Sequence, residues 1–287
     1  MCARRRKSTM RNGVFIFLVL LLTAPAALAS DAARYFSAEY RLYVSGLLIG
    51  KANIRLSVSP DDYMLSAHIR PAGFGRIAGQ SHVVSTTSGG LRDGQLVPRR
   101  LDLSWTSEDT IKSSYMDYRD GAPHKFVSGY AQPAEFQSKN PVALESVGAG
   151  SVDPFLGLLS PLKGRPLRAA CDGTRRIFDG RRLATLNAQD VRSVPPFEHD
   201  FPYRRAAVKC AIIWQPVAGY SEASLERAAE FPPVHAHFGQ IGDIGFAAPL
   251  DMRGKSRYGR VTIYAVRYFT ESRKPLAPFD IRAIAAP

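Results

Sequence analysis

The side chains best suited to hold a metal ion are His235 and His237, whose spacing would put both imidazoles on one face of an extended segment. Pro232 and Pro233 precede them and argue for a loop, and no third ligand is indicated, so two surface histidines are the better reading. Glu108 and Asp109 could serve as an acid and a base. Adjacent residues on a strand face opposite ways, however, which makes this pair a turn. Ser146 to Ser151 contains glycines but no Gly-x-Ser-x-Gly elbow, and there is no His-Glu-x-x-His helix and no cysteine set beside a histidine. Gly73-Phe74-Gly75-Arg76 lacks the further glycine of a nucleotide-binding turn and reads as a structural bend. These patterns give no catalytic centre, no metal and no cofactor, and they point away from an enzyme.

Two cysteines can do different chemistry. Cys171 and Cys210 are the pair left once the amino-terminal segment, with Cys2, is set aside. That segment reads as a cleavable signal peptide: a basic stretch, an apolar run from Val14 to Leu22 too short to cross a bilayer, and a small-residue Ala27-Leu28-Ala29 site. An uncleaved anchor with the same charge pattern suits Pro25 and the alanine-rich tail less well. Cleavage after Ala29 would deliver a mature chain, residues 30–287, to the bacterial periplasm, with no cysteine at the cut for a lipid anchor. In that oxidising compartment a Cys171–Cys210 disulfide is the natural pairing, with two buried free thiols as the alternative.

Charge follows the same division. Lysine and arginine number 38 against 25 acidic residues, a net charge of +13. Arg4, Arg5, Arg6, Lys7 and Arg11 would leave with the leader, lowering the excess to about +8. The remainder is spread, with pairs at Arg99-Arg100, Arg175-Arg176, Arg181-Arg182 and Arg204-Arg205 that suit solvated strand faces. A basic surface favours anionic lipid head groups or other envelope polyanions, and peripheral contact with an anionic membrane is expected. Nucleic acid is a poor partner for an exported chain that carries no nucleic-acid-binding motif.

The elements that would position these residues are mostly strands. Alternation with period two puts Tyr40, Leu42 and Val44 on one face, then Ala52, Ile54, Leu56 and Val58, then Tyr63, Leu65, Ala67 and Ile69. Gly46 and Gly50, Pro60-Asp61-Asp62, Asp93-Gly94 and Asp120-Gly121 supply turns between successive antiparallel strands. Residues 71–79 suit a short helical or irregular crossing, and 132–150 a flexible connection within a single β domain. Asp153-Pro154 then caps what is expected to be the main helix, with Phe155, Leu156, Leu158 and Leu159 as its apolar side. After Cys171, Phe178-Asp179-Gly180-Arg181 makes a hairpin turn. Val208, Cys210, Ile212 and Trp214 share a face of a later strand, and Val261, Ile263 and Ala265 mark the last one.

Four short pieces, Gly46-Leu47-Leu48-Ile49-Gly50, Asp93-Gly94 to Pro98, Asp153-Pro154-Phe155-Leu156 and Phe178-Asp179-Gly180-Arg181, resemble in order and spacing the bacterial envelope family DUF3108, a domain of unknown function. The resemblance implies an architecture similar to periplasmic lipoprotein carriers: mainly β, a strongly curved antiparallel half-barrel with one or two short helices. It implies no catalytic residues. The expected role is a non-enzymatic cell-envelope protein holding a lipid, lipoprotein or other amphipathic ligand in a β groove, with Phe74, Phe155, Leu159 and Trp214 as its candidate lining. The alternatives are a scaffold for an envelope complex, contacting protein partners without a small ligand, and, as a minor reading, an envelope hydrolase. Protein recovered from a periplasmic fraction should begin at Ser30 by amino-terminal sequencing. A chain that retains residue 1 would mean an anchor.

Overall fold

Seven strands follow one another from Arg34 to Ser128 in the computed structural model, each hydrogen-bonded antiparallel to the next. They are β1 (Arg34–Val44), β2 (Leu47–Val58), β3 (Asp62–Pro71), β4 (His82–Arg92), β5 (Gln95–Ser107), β6 (Thr110–Arg119) and β7 (Ala122–Ser128). The structure describes residues 33–79, 81–107, 110–128, 142–197, 201–271 and 277–279, and these described residues form one compact unit. The leader, the Glu108-Asp109 pair and residues 132–141 of the expected flexible connection lie outside the described residues. Three of the tight turns carry positive φ at both central residues, Ser45-Gly46, Asp93-Gly94 and Asp120-Gly121. That is the twist-matched hairpin geometry which a glycine in second place makes inexpensive.

The second half adds β8 (Ser151–Val152), β9 (Ser160–Pro161), β10 (Thr174–Phe178), β11 (Leu183–Val194), β12 (Ala207–Ala218), β13 (Val234–Gln240), β14 (Phe246–Ser256) and β15 (Gly259–Glu271). β15 pairs with β1, so a single sheet runs from β7 through β1 and β15 to β10 and β8, with β9 on the side of β14. The fold is mainly β, a strongly curved sheet that continues past a half-barrel into a nearly closed barrel. The Gly150 N–H donates to the Gly121 carbonyl at 3.1 Å across the two edges. Beside it Leu101, Met116, Val147, Phe178 and Leu183 make an apolar seam against Phe126. The Gly180 backbone, at φ +95°, lies so close to the Phe126 ring that a Cβ there would sit 2.3 Å from it.

Alternation decides which face points in. Phe36, Ala38 and Tyr40 of β1, Ile54, Leu56 and Val58 of β2, and Tyr63, Leu65 and Ala67 of β3 are buried, while Ser37, Glu39 and Arg55 face out. Apolar inside and polar outside is the reverse of a lipid-embedded β-barrel. Eight strands enclose a space that side chains alone can fill, and a wider sheet encloses more. Here the chain fills it: Leu156 and Leu159 lie in the same buried cluster as Phe36, Leu56, Leu65 and Phe246.

Asp153 starts this internal segment. Its Oδ1 accepts the N–H groups of Phe155 (2.9 Å) and Leu156 (3.0 Å), the capping role expected of it. The main helix expected there is only a three-residue 3₁₀ turn, Leu156–Leu158, because Ser160 and Pro161 are drawn into pairing with Ala247 and Phe246. Among the described residues the α-helices are α1 (Leu144–Val147), in the region expected to be a flexible connection, and α2 (Glu222–Ala229), which buries no residue. Despite the double proline, His235 and His237 belong to a strand, β13, paired on both sides.

Cys171 and Cys210 are joined, with Cα atoms 6.2 Å apart and both residues buried beside Val208, Ala236 and Phe238. The bridge fastens the 3₁₀ turn Leu167–Cys171 to β12 across a sequence separation of 39. Closing a loop of that length restricts the unfolded chain and should stabilise the fold by roughly 3 to 4 kcal/mol. The paired Cys171→Ala, Cys210→Ala variant should lose stability of that order in urea unfolding. It should also become insensitive to reductant, whereas equal sensitivity in both proteins would contradict the bridge.

Candidate functional site

A cleft of about 590 Å³ lies at the end of the barrel where β4 turns into β5 and β6 into β7. The internal segment and the hairpin strand β10 supply its other walls. Leu96, Val152, Leu156, Leu159 and Phe246 give it an apolar floor, and Arg92, Lys163, Arg165 and Arg175 bring positive charge to its sides. Asp120 and Asp172 also reach it, and Asp172 already pairs with Arg165 at 3.1 Å. A turn with positive φ at Lys163 and Gly164 carries Lys163 over Gly94 of the β4–β5 turn.

Arg175 is the unusual member. Its guanidinium donates to the Gly157 carbonyl (3.2 Å), the Ser160 hydroxyl (2.6 Å) and the Ala170 carbonyl (2.6 Å), and among the described residues no carboxylate lies within 4.0 Å of it. Burial pulls its pKa down to about 10, so it stays a cation at neutral pH. A largely desolvated cation held only by neutral dipoles retains attraction for an anion. Arg175-Arg176 read as a solvated pair in the sequence; strand alternation exposes Arg176 and turns Arg175 inward.

The four groove candidates do not line one groove. Leu159 is 4% exposed and borders the large cleft. Phe155 borders an apolar cavity of only about 90 Å³ at the opposite mouth of the barrel, with Leu42, Ile69, Met252 and Ile263. Trp214 stands in a separate cleft of about 470 Å³ beside α2, its ring 5.3 Å from that of Tyr220. Phe74 is 58% exposed on the 3₁₀ turn Gly73–Ala78 and faces away from the interior.

Several other polar groups have structural partners, while the buried hydroxyls of Tyr63 and Tyr118 have no hydrogen-bond partner among the described residues. His235 and His237 share a face as an extended segment requires; His237 Nδ1 meets the buried Asp251 carboxylate at 3.0 Å, with Phe197 packed on the ring. No three metal-ligating residues converge among the described residues. Inside the barrel Thr87 Oγ1 donates to Asp153 Oδ2 at 2.9 Å. Burial pushes the Asp153 pKa up against the donors that steady its charge. The nearby Tyr63 and Tyr118 hydroxyls are pushed up by burial and by the Asp153 charge. His68 and His82 were not apparent as a pair in the sequence, where 14 residues separate them; the β3–β4 register brings Nε2 of one to 3.1 Å from Nδ1 of the other.

No family model matches the chain, and no curated protein does, so the resemblance to DUF3108 is not confirmed. Among solved structures, a β-barrel-like protein of the family DUF1849 from Brucella abortus aligns over 83% of this chain and 97% of its own, with 11% identity and a TM-score of 0.43. A lipoprotein candidate from Parabacteroides distasonis aligns over 84% and 96%, with 9% identity and a TM-score of 0.33.

The histidine pair sets an acid limit. Burial first, then the charges of His82, Arg70 and Arg55, lower the His68 pKa from 6.5 to about 4. Between these values the unfolded chain binds a proton that the folded chain refuses, so stability falls as pH drops through that window and is unaffected above it. The urea midpoint should decline from pH 7 to pH 4.5, and His68→Gln should flatten the decline. An unchanged slope would remove His68 from the explanation.

Proposed function

We propose that the protein is an exported, non-enzymatic binding protein of the bacterial cell envelope that holds an anionic amphiphile in the large cleft. The observation that carries this reading is Arg175, a largely desolvated cation with no carboxylate partner among the described residues, set beside the leucines of the barrel core in a cleft of about 590 Å³. Small-molecule sites commonly occupy roughly 300 to 1,000 Å³ and combine an apolar lining with a few converging polar groups. The anionic head sits among Arg175, Lys163 and Arg165, and the apolar part lies on Leu96, Leu156 and Leu159. The signal peptide read from the sequence supports the periplasm, and the Cys171–Cys210 bridge suits an oxidising compartment.

The filled barrel favours a second reading. With Leu156 and Leu159 packed inside and about 90 Å³ left at the far mouth, the described residues form no interior channel for an acyl chain, as a scaffold without a small ligand would need none. Calorimetric titration separates the two. Dodecyl phosphate should bind, while dodecyl maltoside and inorganic phosphate bind far more weakly because each offers half of the required chemistry. Replacing Lys163 and Arg165 by Ala should weaken dodecyl phosphate about tenfold, the loss expected when charge-assisted contacts are removed. If dodecyl phosphate produces no heat and no shift in thermal midpoint, the scaffold reading stands in place of the binding one.

A further inference from the structure

The end of the barrel opposite the cleft carries a different chemistry. Three chain segments meet there: the β1–β2 turn, the 3₁₀ turn Gly73–Ala78 between β3 and β4, and the β14–β15 turn. They are fastened together. The Ser45 N–H donates to the Arg260 carbonyl (2.8 Å) and the Ser45 hydroxyl to the Tyr258 carbonyl (3.1 Å). Gly75 lies so tightly on β2 that a Cβ would stand 1.8 Å from the Ile49 oxygen.

From this tip four large side chains project into solvent, Leu47 (48% exposed), Phe74 (58%), Ile77 (82%) and Tyr258 (66%). Residues 41–53, 69–84 and 252–264, which build the tip and the strand ends beneath it, contain Arg41, Lys51, Arg70, Arg76, Arg253, Lys255, Arg257 and Arg260 and no acidic residue. Among the described residues, only Arg253 of these has a carboxylate within 4.0 Å, that of Asp251 at 3.6 Å. Folding gains nothing from exposing Ile77 and Phe74 beside this uncompensated charge, and neither side chain lines a cavity given above.

We infer that the tip formed by Leu47, Phe74, Ile77 and Tyr258 docks the protein on an anionic phospholipid bilayer. The apolar side chains enter the interface, and the surrounding cations meet the head groups, each basic residue adding attraction to an anionic surface. Separate turns presenting apolar tips above a cationic girdle match a deformable, uniformly negative surface better than the flat, mixed-polarity face of a protein partner. β4 runs from the tip to the cleft, and its 11 residues span roughly 35 Å. Docking by the tip therefore leaves the cleft facing away from the bilayer. The inference shares with the proposed function only the exported compartment and does not require the cleft to hold a ligand.

The test is co-sedimentation of protein purified from a periplasmic fraction, its intact mass showing the leader removed, with phosphatidylglycerol–phosphatidylethanolamine vesicles and with phosphatidylcholine vesicles. The anionic vesicles should retain the protein and release it as salt rises; the neutral ones should not retain it. Phe74→Ser with Ile77→Ser, and separately Arg76→Glu with Arg257→Glu, should each lower partitioning about tenfold. These side chains are exposed, so the thermal midpoint should hold and serve as the folding control. Lys163→Glu with Arg165→Glu, at the cleft, should bind vesicles as the parent does. Equal retention on neutral vesicles, undiminished binding by both tip variants, or loss confined to the cleft variant would each overturn the proposal. Failure of dodecyl phosphate to bind would leave it untouched.

Discussion

A sheet that curls almost into a ring, with Phe36, Leu56, Leu65 and Phe246 on its concave side, must fill the space it encloses with something other than water. The residues from Asp153 to Leu162 meet that constraint, and most of the molecule is arranged around them. They need a start that can be buried, and Asp153 provides it by turning its carboxylate onto the N–H groups of Phe155 and Leu156 and the hydroxyl of Thr87. They need a lateral hold, which Ser160 and Pro161 obtain by pairing with β14. Arg175 supplies the last restraint by tying Gly157 and Ser160 of the internal segment to Ala170 of the turn that carries Cys171. Covalent bridge, buried cation and core leucines thus act on the same few turns of chain.

That arrangement also decides where a ligand could go. A barrel with an empty lumen offers one continuous apolar cavity, whereas a plugged one offers only what remains at its ends. Here the remainder is unequal: a small apolar recess behind Phe155 at one mouth, and a large mixed cleft at the other, where the segment enters beneath the β4–β5 turn. Arg175 belongs to both stories. It is needed to hold the plug, and because neutral dipoles rather than a carboxylate hold it, its charge is not spent inside the protein.

The alternating strands of the first half, their Gly-containing turns and the capping role of Asp153 were legible because each is local: period two, a positive-φ turn and an N-cap are written within a few residues. What was not legible is non-local. Nothing around Leu156 says that the chain will fold back inside a sheet whose other wall lies about 90 residues away in sequence, at Leu65. Pairing on both sides overrides Pro232-Pro233 and makes β13 a strand. Phe74 reads as groove lining in the sequence because aromatic residues usually turn inward. Its outward placement follows from Gly73 and Gly75 pressing the turn onto β2, a contact that no spacing rule announces. Trp214 shares a strand face with Cys210, as alternation requires, but β12 continues beyond β13, and only the first part of that face is covered.

The two ends of the barrel differ in how their positive charge is held. At the cleft it converges on a concavity, and one of its members is largely withdrawn from water, so its field is directed at something small enough to enter. At the tip it lies on convex turns in contact with solvent, where each charge is screened over about 10 Å and only a surface presenting many anions at once engages several together. Concave and convex cations on one sheet therefore favour a small anion at one end and an extended anionic surface at the other. Strand length keeps the two from competing for the same partner, since roughly 35 Å separates them, several screening lengths at physiological salt.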